Sequence, residues 1–600
     1  MSTALTKPEI SARAAARGRP VSGALAGTIL SATGGCPATV DVALDAAQRA
    51  DADIPVTKLI TDAVHGYRVE ALRAMDEHEQ VAVALSHFGV ASDVEVLTDL
   101  VDAPIDARAV LDGAVAAGVL SGSDLALPDV ERALVDVLGK RRSMSALTRL
   151  LEYRCKTDSL DVDTAIQLAA FGIKHSELAN FLRVAATRAT PESAAALYDR
   201  AVDAGADELA VAAERAEAAY LAGDIDAAQR FCDCALERFD ALDVHRLRTA
   251  VRVSATVAAA RGMVSRSHQL YTWLGADRVG PDADIAEFLA LTAGDQAAAH
   301  TATATASQAP PTASSAATSL VTQGLRQSVA ATSTADTTSV THTFMRAVSL
   351  AGGTPRALPD SAAAVAALFA LHCGDLSRAE STARRGTATL SPRHPDAQRL
   401  ALVQAWSAML AGDLTAAQTR VDAMQIPLSH TRNRFFLHAL RVGLARRSGD
   451  PGSLSTAWED AQDVVAEYSV DLLSLLPVGE LWLGAVRVGQ PERVSHLIAQ
   501  ADAVIAGLDE PHAWSSALHW YGVQAAILAE RPAELVPHAR ALALAAETNH
   551  FGAALAGAGR AWLAVLQGHP DPADVESAAR SLAHFGLSWD GARLASEAAL

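Results

Sequence analysis

The chain has 600 residues, half of them apolar but only 4% aromatic, and that balance suits closely packed, Ala-rich helices better than β-strands. Its formal net charge is −19, from 69 acidic against 50 basic residues, so its surface repels phosphate backbones and anionic lipid. Direct DNA binding and membrane association are both disfavoured. The five cysteines are scattered and odd in number, no apolar run reaches membrane-spanning length, and the N-terminus lacks a secretory pattern. A soluble, cytoplasmic protein is expected.

From the N-terminus, the first 150 residues carry helix-start signals rather than a repeat. "MDEHEQVAVALSHFGV" opens with Asp76 and Glu79 in capping-box spacing, and "ASDVEVLTDLV" repeats the device with Ser92 and Glu95. Capping also accounts for the mixed ligand types of "DEHE". A third helix is predicted from about Asp106 to Ala117, closing at Gly118, and "VLSGSDLAL" then gives two short apolar runs around Gly122, a hairpin signal. Three helices, a hairpin and the helix after Pro128 make a winged-helix module over residues 61–153. Its third helix carries Asp106 and Asp112, so a structural use is expected in place of DNA reading.

Beyond residue 154 the grammar changes. "AAYLAGDIDAAQRF" breaks a helix-favouring stretch at Gly223-Asp224, and related breaks recur at Gly262, Gly294, Gly374, Gly412, Gly449, Gly489, Glu530 and Gly568. From Gly374 onward the intervals are 38, 37, 40, 41 and 38. This is the period of stacked helical hairpins: Gly closes one helix in the left-handed conformation, and Asp224, Asp375 or Asp413 caps the next. Small residues such as Ala228, Ala379 and Ala417 follow each break, where paired helices approach. The fold expected is mostly α: a short winged-helix module, then a TPR-like α-solenoid over 154–298 and 313–600. Residues 299–312, "AHTATATASQAPPT", read as an exposed linker or loop. Because solenoid repeats lean only on their neighbours, losing one period, residues 375–412, is expected to do less damage than Ala417→Trp.

Catalytic signatures are missing. No G-x-x-x-x-G-K-S/T, H-E-x-x-H, G-x-S-x-G or paired C-x-x-C occurs, and "VLGKRRS" lacks the earlier glycine of a phosphate cradle. No catalytic, cofactor or metal residue is assigned, and the chain is expected not to be an enzyme. Cys232 and Cys234 would point roughly 200° apart on a helix, as buried small residues do. In "HTRNRFFLHALRVGLARR", Arg434, His438 and Arg441 share one face, which reads as solvated. Seven of the eight tryptophans lie in the last 200 residues, filling gaps between Ala-rich helices. Within "AWSSALHWYGVQAAIL", Trp514, Leu518 and Tyr521 form a core stripe, while Trp520 and His519 point elsewhere and make the candidate ligand groove on a concave side.

The order of parts resembles the large actinobacterial relatives of LuxR/MalT-type regulators, within the signal-transducing STAND nucleotide-binding ATPases. "TGGCP" (Thr33 to Pro37) is similar to that family's lid element, and "LDGAVAAGVL" to the helix before its wing. "LPDSAAAVAALFALHCGDL", "LLPVGELW" and "FGLSWDGARLASEAAL" look closest to mycobacterial isoniazid-response-type ATPase/transcriptional regulators. The resemblance implies that residues 1–60 are a helical lid remnant and that the repeats are a sensor arm. ATP or ADP would enter only with a nucleotide-binding core upstream of Met1. Leu127-Pro128 stands where the family places a nucleotide-reaching His-Pro, and no helix-turn-helix follows the final amphipathic helix. The functional expectation is a non-enzymatic sensing and interaction arm of a transcriptional regulator, taking protein partners or a small-molecule inducer such as a saccharide. An oligomer is compatible with it. A free-standing scaffold for partner proteins and a fragment of an ATP-dependent regulator are the alternatives.

Overall fold

The computed structural model describes residues 4–49, 54–90, 94–101, 103, 105–120, 127, 129–303, 312–352, 356–388, 390–392, 394–424 and 428–599. Among the described residues every regular element is a helix, and antiparallel helix pairs joined by short turns follow one another along the chain. The mostly α, repeat-built expectation holds. Contacts divide the chain into two compact units, Met1–Glu208 and Leu209–Leu600.

In the first unit Asp76 caps the helix Glu77–Leu85 reciprocally with Glu79, with both backbone-to-carboxylate bonds at 2.9 Å. Asp106 caps Ala107–Ala116, and Gly118 follows at φ 66°. A Cβ on Gly118 would fall 2.7 Å from the Thr39 side chain, so the turn after this helix seats directly on the helix that "TGGCP" begins. Between the two, buried Arg68 donates from Nε to the Gly118 carbonyl at 2.9 Å and from Nη2 to that of Ala32 at 3.3 Å. One guanidinium thus ties the residue just before "TGGCP" to the stretch "LDGAVAAGVL". Asp106, Arg108 and Asp112 are exposed. Of the predicted hairpin stretch, residues 119–127, the central 121–126 lie outside the described residues, as does Ser92 of the second capping box; the next helix is Val130–Leu138.

In the second unit each predicted break is a hairpin turn. Gly223, Gly262, Gly294, Gly374, Gly412, Gly449, Gly489, Glu530 and Gly568 all have positive φ, the conformation that ends a helix. Asp224, Asp375 and Asp413 then accept from the backbone N–H three residues on, at 2.8, 3.0 and 2.9 Å. Ala228, Ala379 and Ala417 are fully buried where the helices meet. The expected 299–312 linker needs correcting at its ends: residues 299–303 complete the helix Gln296–Thr303, and Thr312 caps Ala313–Ala330. Residues 304–311 lie outside the described set. Low apolar content misled here, because Ala and Thr pack well enough in a short terminal turn.

A second correction concerns the array itself. Repeats in an open solenoid touch only their neighbours, but this one winds back on itself. Trp514 Nε1 donates to Ser328 Oγ at 2.8 Å across 186 residues, and Thr548 Oγ1 bonds the Thr332 carbonyl across 216. The hairpin glycines sit at the same contacts: Gly262 against the Tyr468 ring, Gly294 against the Val504 backbone, and Gly374 against Phe551 and Phe585. The turns at Gly262, Gly294 and Gly374 therefore each end a helix and also receive a hairpin roughly five repeats later. Gly223, by contrast, has open space around its Cβ position. Gly223→Ala should cost only the left-handed backbone penalty, about 1 kcal/mol. Gly294→Ala, whose Cβ would lie 2.8 Å from Val504 Cα, should cost roughly 2 to 4 kcal/mol. Urea unfolding of the two variants side by side checks the difference.

Candidate functional site

The groove expected at Trp520 and His519 is not an open face. Trp520 is 3% exposed; with the Gln524 amide nitrogen turned toward Asp590, its indole donates to the Gln524 carbonyl at 2.6 Å. Trp514 is fully buried, as its stripe predicts, and Tyr521 is buried beside it on the helix His512–Leu528. The helix is covered all round by superhelical closure, so its periodicity could not say which side was free. Trp520→Ala should therefore behave as a core truncation costing roughly 3 kcal/mol, read by chemical denaturation.

His519 is half-buried, its Nδ1 lying 3.0 Å from Nδ1 of His538 and its Nε2 3.3 Å from Glu510. Burial, and then the neighbouring His519, push His538 down to about 4. A His with a folded value below its unfolded one stabilises fully above about 6.5 and progressively less as pH falls toward 4. Stability should drop across that window, and His538→Gln should flatten the drop in melting temperature measured from pH 6.5 to 4.5.

A different site emerges where the segment Ala357–Ser361 runs between helices Thr334–Leu350 and Ala362–His372. Charges pin this segment. The Ala357 N–H donates to Glu217 Oε1 at 3.0 Å, Arg356 pairs with fully buried Asp282, and Arg252 lies 2.8 Å from Glu217 and 3.6 Å from Asp282. Asp360, 7% exposed, accepts from the Ser361 N–H, and its other oxygen lies 3.0 Å from Arg399 and 3.2 Å from Arg432. Arg432 also donates to the Pro359 carbonyl. Around these ions several buried polar atoms make no hydrogen bond among the described residues: Gln398 Oε1, Arg399 Nε, His430 Nδ1 and Asn433 Oδ1. Burying polar atoms unbonded costs on the order of 1 to 3 kcal/mol each, so the cluster is poised to take water or a polar ligand.

Two cavities flank the segment. One, of about 170 Å³, is walled by Ile285, Phe288, Ala317, Val321 and Leu358. The other, of about 430 Å³, is walled by Tyr220, Arg385, His394, Asp396 and Leu400, and the two share Arg356, Asp360 and Ser361. The first is mostly apolar, and the second mixes charged and polar side chains with apolar ones such as Leu221, Val348 and Leu390. Burial, then the Asp360 carboxylate, raises the pKa of Asp396; burial, then Arg432 and Arg399, lowers that of His430. Tyr220 lies 6.0 Å ring to ring from His430, another contact between distant turns of the superhelix. The arrangement can hold an amphipathic small molecule by apolar contact at one end and polar contact at the other.

Sequence reasoning missed these residues. Arg432, Arg446 and Arg447 belong to the same basic run as Arg434, His438 and Arg441, yet are buried while the latter three are only half-buried. Arg356 and Asp360 lie in a short Pro-containing stretch that reads as a plain turn. Cys232 is buried, and Cys234 receives Arg238 Nη2 at 3.0 Å. Among the described residues no three His, Cys, Asp or Glu side chains converge as a metal site, and no helix is long and apolar enough to cross a membrane.

No family model matches the chain, and no curated protein does. Among solved structures it is similar to a circular tandem repeat protein with novel repeat topology and enhanced subunit contact surfaces. The identity is 15%, over 88% of this chain and 99% of that one, with a TM-score of 0.10.

Proposed function

We propose that this helical-repeat chain is a non-catalytic sensing arm whose second unit holds a small molecule in the cavity beside Ala357–Ser361. The observation that carries the reading is the juxtaposition of an apolar compartment with buried, incompletely bonded polar groups, at a place where helices distant in sequence meet. A ligand there bears on the helices Glu208–Leu221, Ala283–Thr292, Ala313–Ala330 and Pro395–Ala411 together. Occupancy shifts the arm's population toward its closed arrangement, and a partner domain reads that shift. The resemblance of the arm to LuxR/MalT-type STAND regulators supports a transcriptional setting, with a cytoplasmic location. This places the ligand away from Trp520 and His519.

Thermal denaturation with octyl-chain probes (n-octanol, sodium octanoate, n-octylammonium chloride) tests the reading. At least one probe should raise the melting temperature of the parent chain and fail to do so in Ala317→Leu, which fills the apolar compartment. If no probe shifts the parent chain, or all shift Ala317→Leu equally, the cavity is not a ligand site.

A further inference from the structure

The cavity's charges are not evenly committed. Arg399 and Arg432 both turn to Asp360, and Arg356 turns to Asp282, so the nearest buried cations already have carboxylate partners. Asp396 has none: no hydrogen bond or ion pair reaches its carboxylate from the described residues, although it sits at the start of Pro395–Ala411 and lines the polar compartment. Asp360, more than nine-tenths buried, also lines both compartments. Its Oδ2 makes no hydrogen bond, because the two guanidinium groups approach it within ion-pair distance but without hydrogen-bond alignment. Two carboxyl groups, acceptor-only when ionised, therefore face one space.

We infer that the cavity selects a cationic amphiphile, a molecule with an apolar body and an ammonium head, the body against Phe288 and Val321 and the head between Asp396 and Asp360. This rests on the cavity reading above and names its ligand class. An ammonium group supplies three donors and one positive charge, which match the open acceptor site on Asp360 and an Asp396 carboxylate that Arg432, Arg399 and His394 attract only from beyond ion-pair distance. An anionic head would meet both carboxylates, would find Arg356 already paired with Asp282 and Arg399 and Arg432 with Asp360, and would gain Arg385, an exposed rim residue whose charge water and salt screen. Burial and Asp360 raise the Asp396 pKa by more than His394, Arg432 and Arg399 lower it, the environment in which a bound cation favours the ionised form.

The experiment is calorimetric titration of the full chain with n-octylammonium, octanoate and n-octanol at neutral pH. Glu576→Gln, an exposed carboxylate variant, controls for attraction to the net charge of −19. Octylammonium should bind at least tenfold more tightly than either other probe, Asp396→Asn should lose that margin, and Glu576→Gln should keep it. Octanoate or octanol binding as tightly as octylammonium, with Ala317→Leu blocking it, overturns the cation assignment and leaves the cavity reading standing. Octylammonium binding that survives both Asp396→Asn and Ala317→Leu is surface attraction and overturns the inference; no binding by any probe overturns the cavity reading with it. Should circular dichroism show Asp396→Asn unfolded, Asp396→Ser is titrated in its place, with the same margin deciding.

Discussion

Deleting residues 375–412, one whole hairpin period, should abolish cooperative folding of the second unit. Sequence periodicity alone leads to the opposite expectation, since a nearest-neighbour array tolerates the loss of one unit better than a Trp forced into a helix interface. The closing contacts reverse it. Gly262 with Tyr468, Gly294 with Val504, and Ser328 with Trp514 lie on opposite sides of the deleted stretch. Removing one period shifts every later hairpin by one place along the superhelix, so these pairs can no longer meet. The deletion also takes out Asp396 and Arg399 and strips Asp360 of a partner. Ala417→Trp, at a fully buried position, should destabilise through overpacking by roughly 1 to 3 kcal/mol and leave the transition cooperative. Far-UV circular dichroism against urea separates the outcomes. A deletion variant with a sharp transition near that of the parent chain would show the closure contacts to be dispensable.

Glu480→Ala should be the most damaging single substitution in the second unit, at about 3 to 5 kcal/mol. The Glu480 carboxylate is fully buried on the helix Leu475–Arg487 and accepts from Arg447 Nη2 at 2.6 Å, Tyr521 Oη at 2.9 Å and Arg446 Nη2 at 3.1 Å. The Trp589 ring covers both guanidinium groups at 5.1 and 5.2 Å. Losing the carboxylate strands two buried cations, which costs far more than the pair contributes while intact. Burial alone would raise the Glu480 pKa, but Arg446 and Arg447 outweigh it and hold the group down at about 2. Its folded value lies below its unfolded one, so this stabilisation is complete above the ordinary carboxylate range and fades as pH falls from about 4.5 toward 2. Glu480→Gln should lose that acid dependence while retaining the Tyr521 bond. Denaturation midpoints at pH 7 and pH 3 check both statements.

What could be read from the sequence follows the range over which each signal acts. Hairpin turns are local: Gly-Asp at 223–224, 374–375 and 412–413 fixes a left-handed residue and a cap within four positions, and the structure places each as read. Core periodicity is nearly local, and it found Trp514. Closure is not local. Nothing within a repeat announces that Gly294 must admit a backbone from residue 504, because a glycine needed for its φ looks the same as one needed also for space. Trp520 was misplaced for that reason: a helix facing a solenoid's concave side and one buried by a returning turn have the same amphipathic pattern. The buried arginines were hidden likewise, since Arg432, Arg446 and Arg447 take their partners Asp360 and Glu480 from other helices.

The distance along the chain between closing partners also sets a clock. An open array locks each hairpin as the next emerges, but here the surface around Gly262 waits for Tyr468, and Ser328 waits for Trp514, 186 residues further on. At translation rates of roughly 5 to 20 residues per second, the early hairpins stand uncovered for about 10 to 40 s on the ribosome. Their apolar faces are then open to other nascent chains, and contacts of such long range slow the final locking step as well. The protein should accordingly depend on chaperones during synthesis far more than the simplicity of its hairpin units suggests.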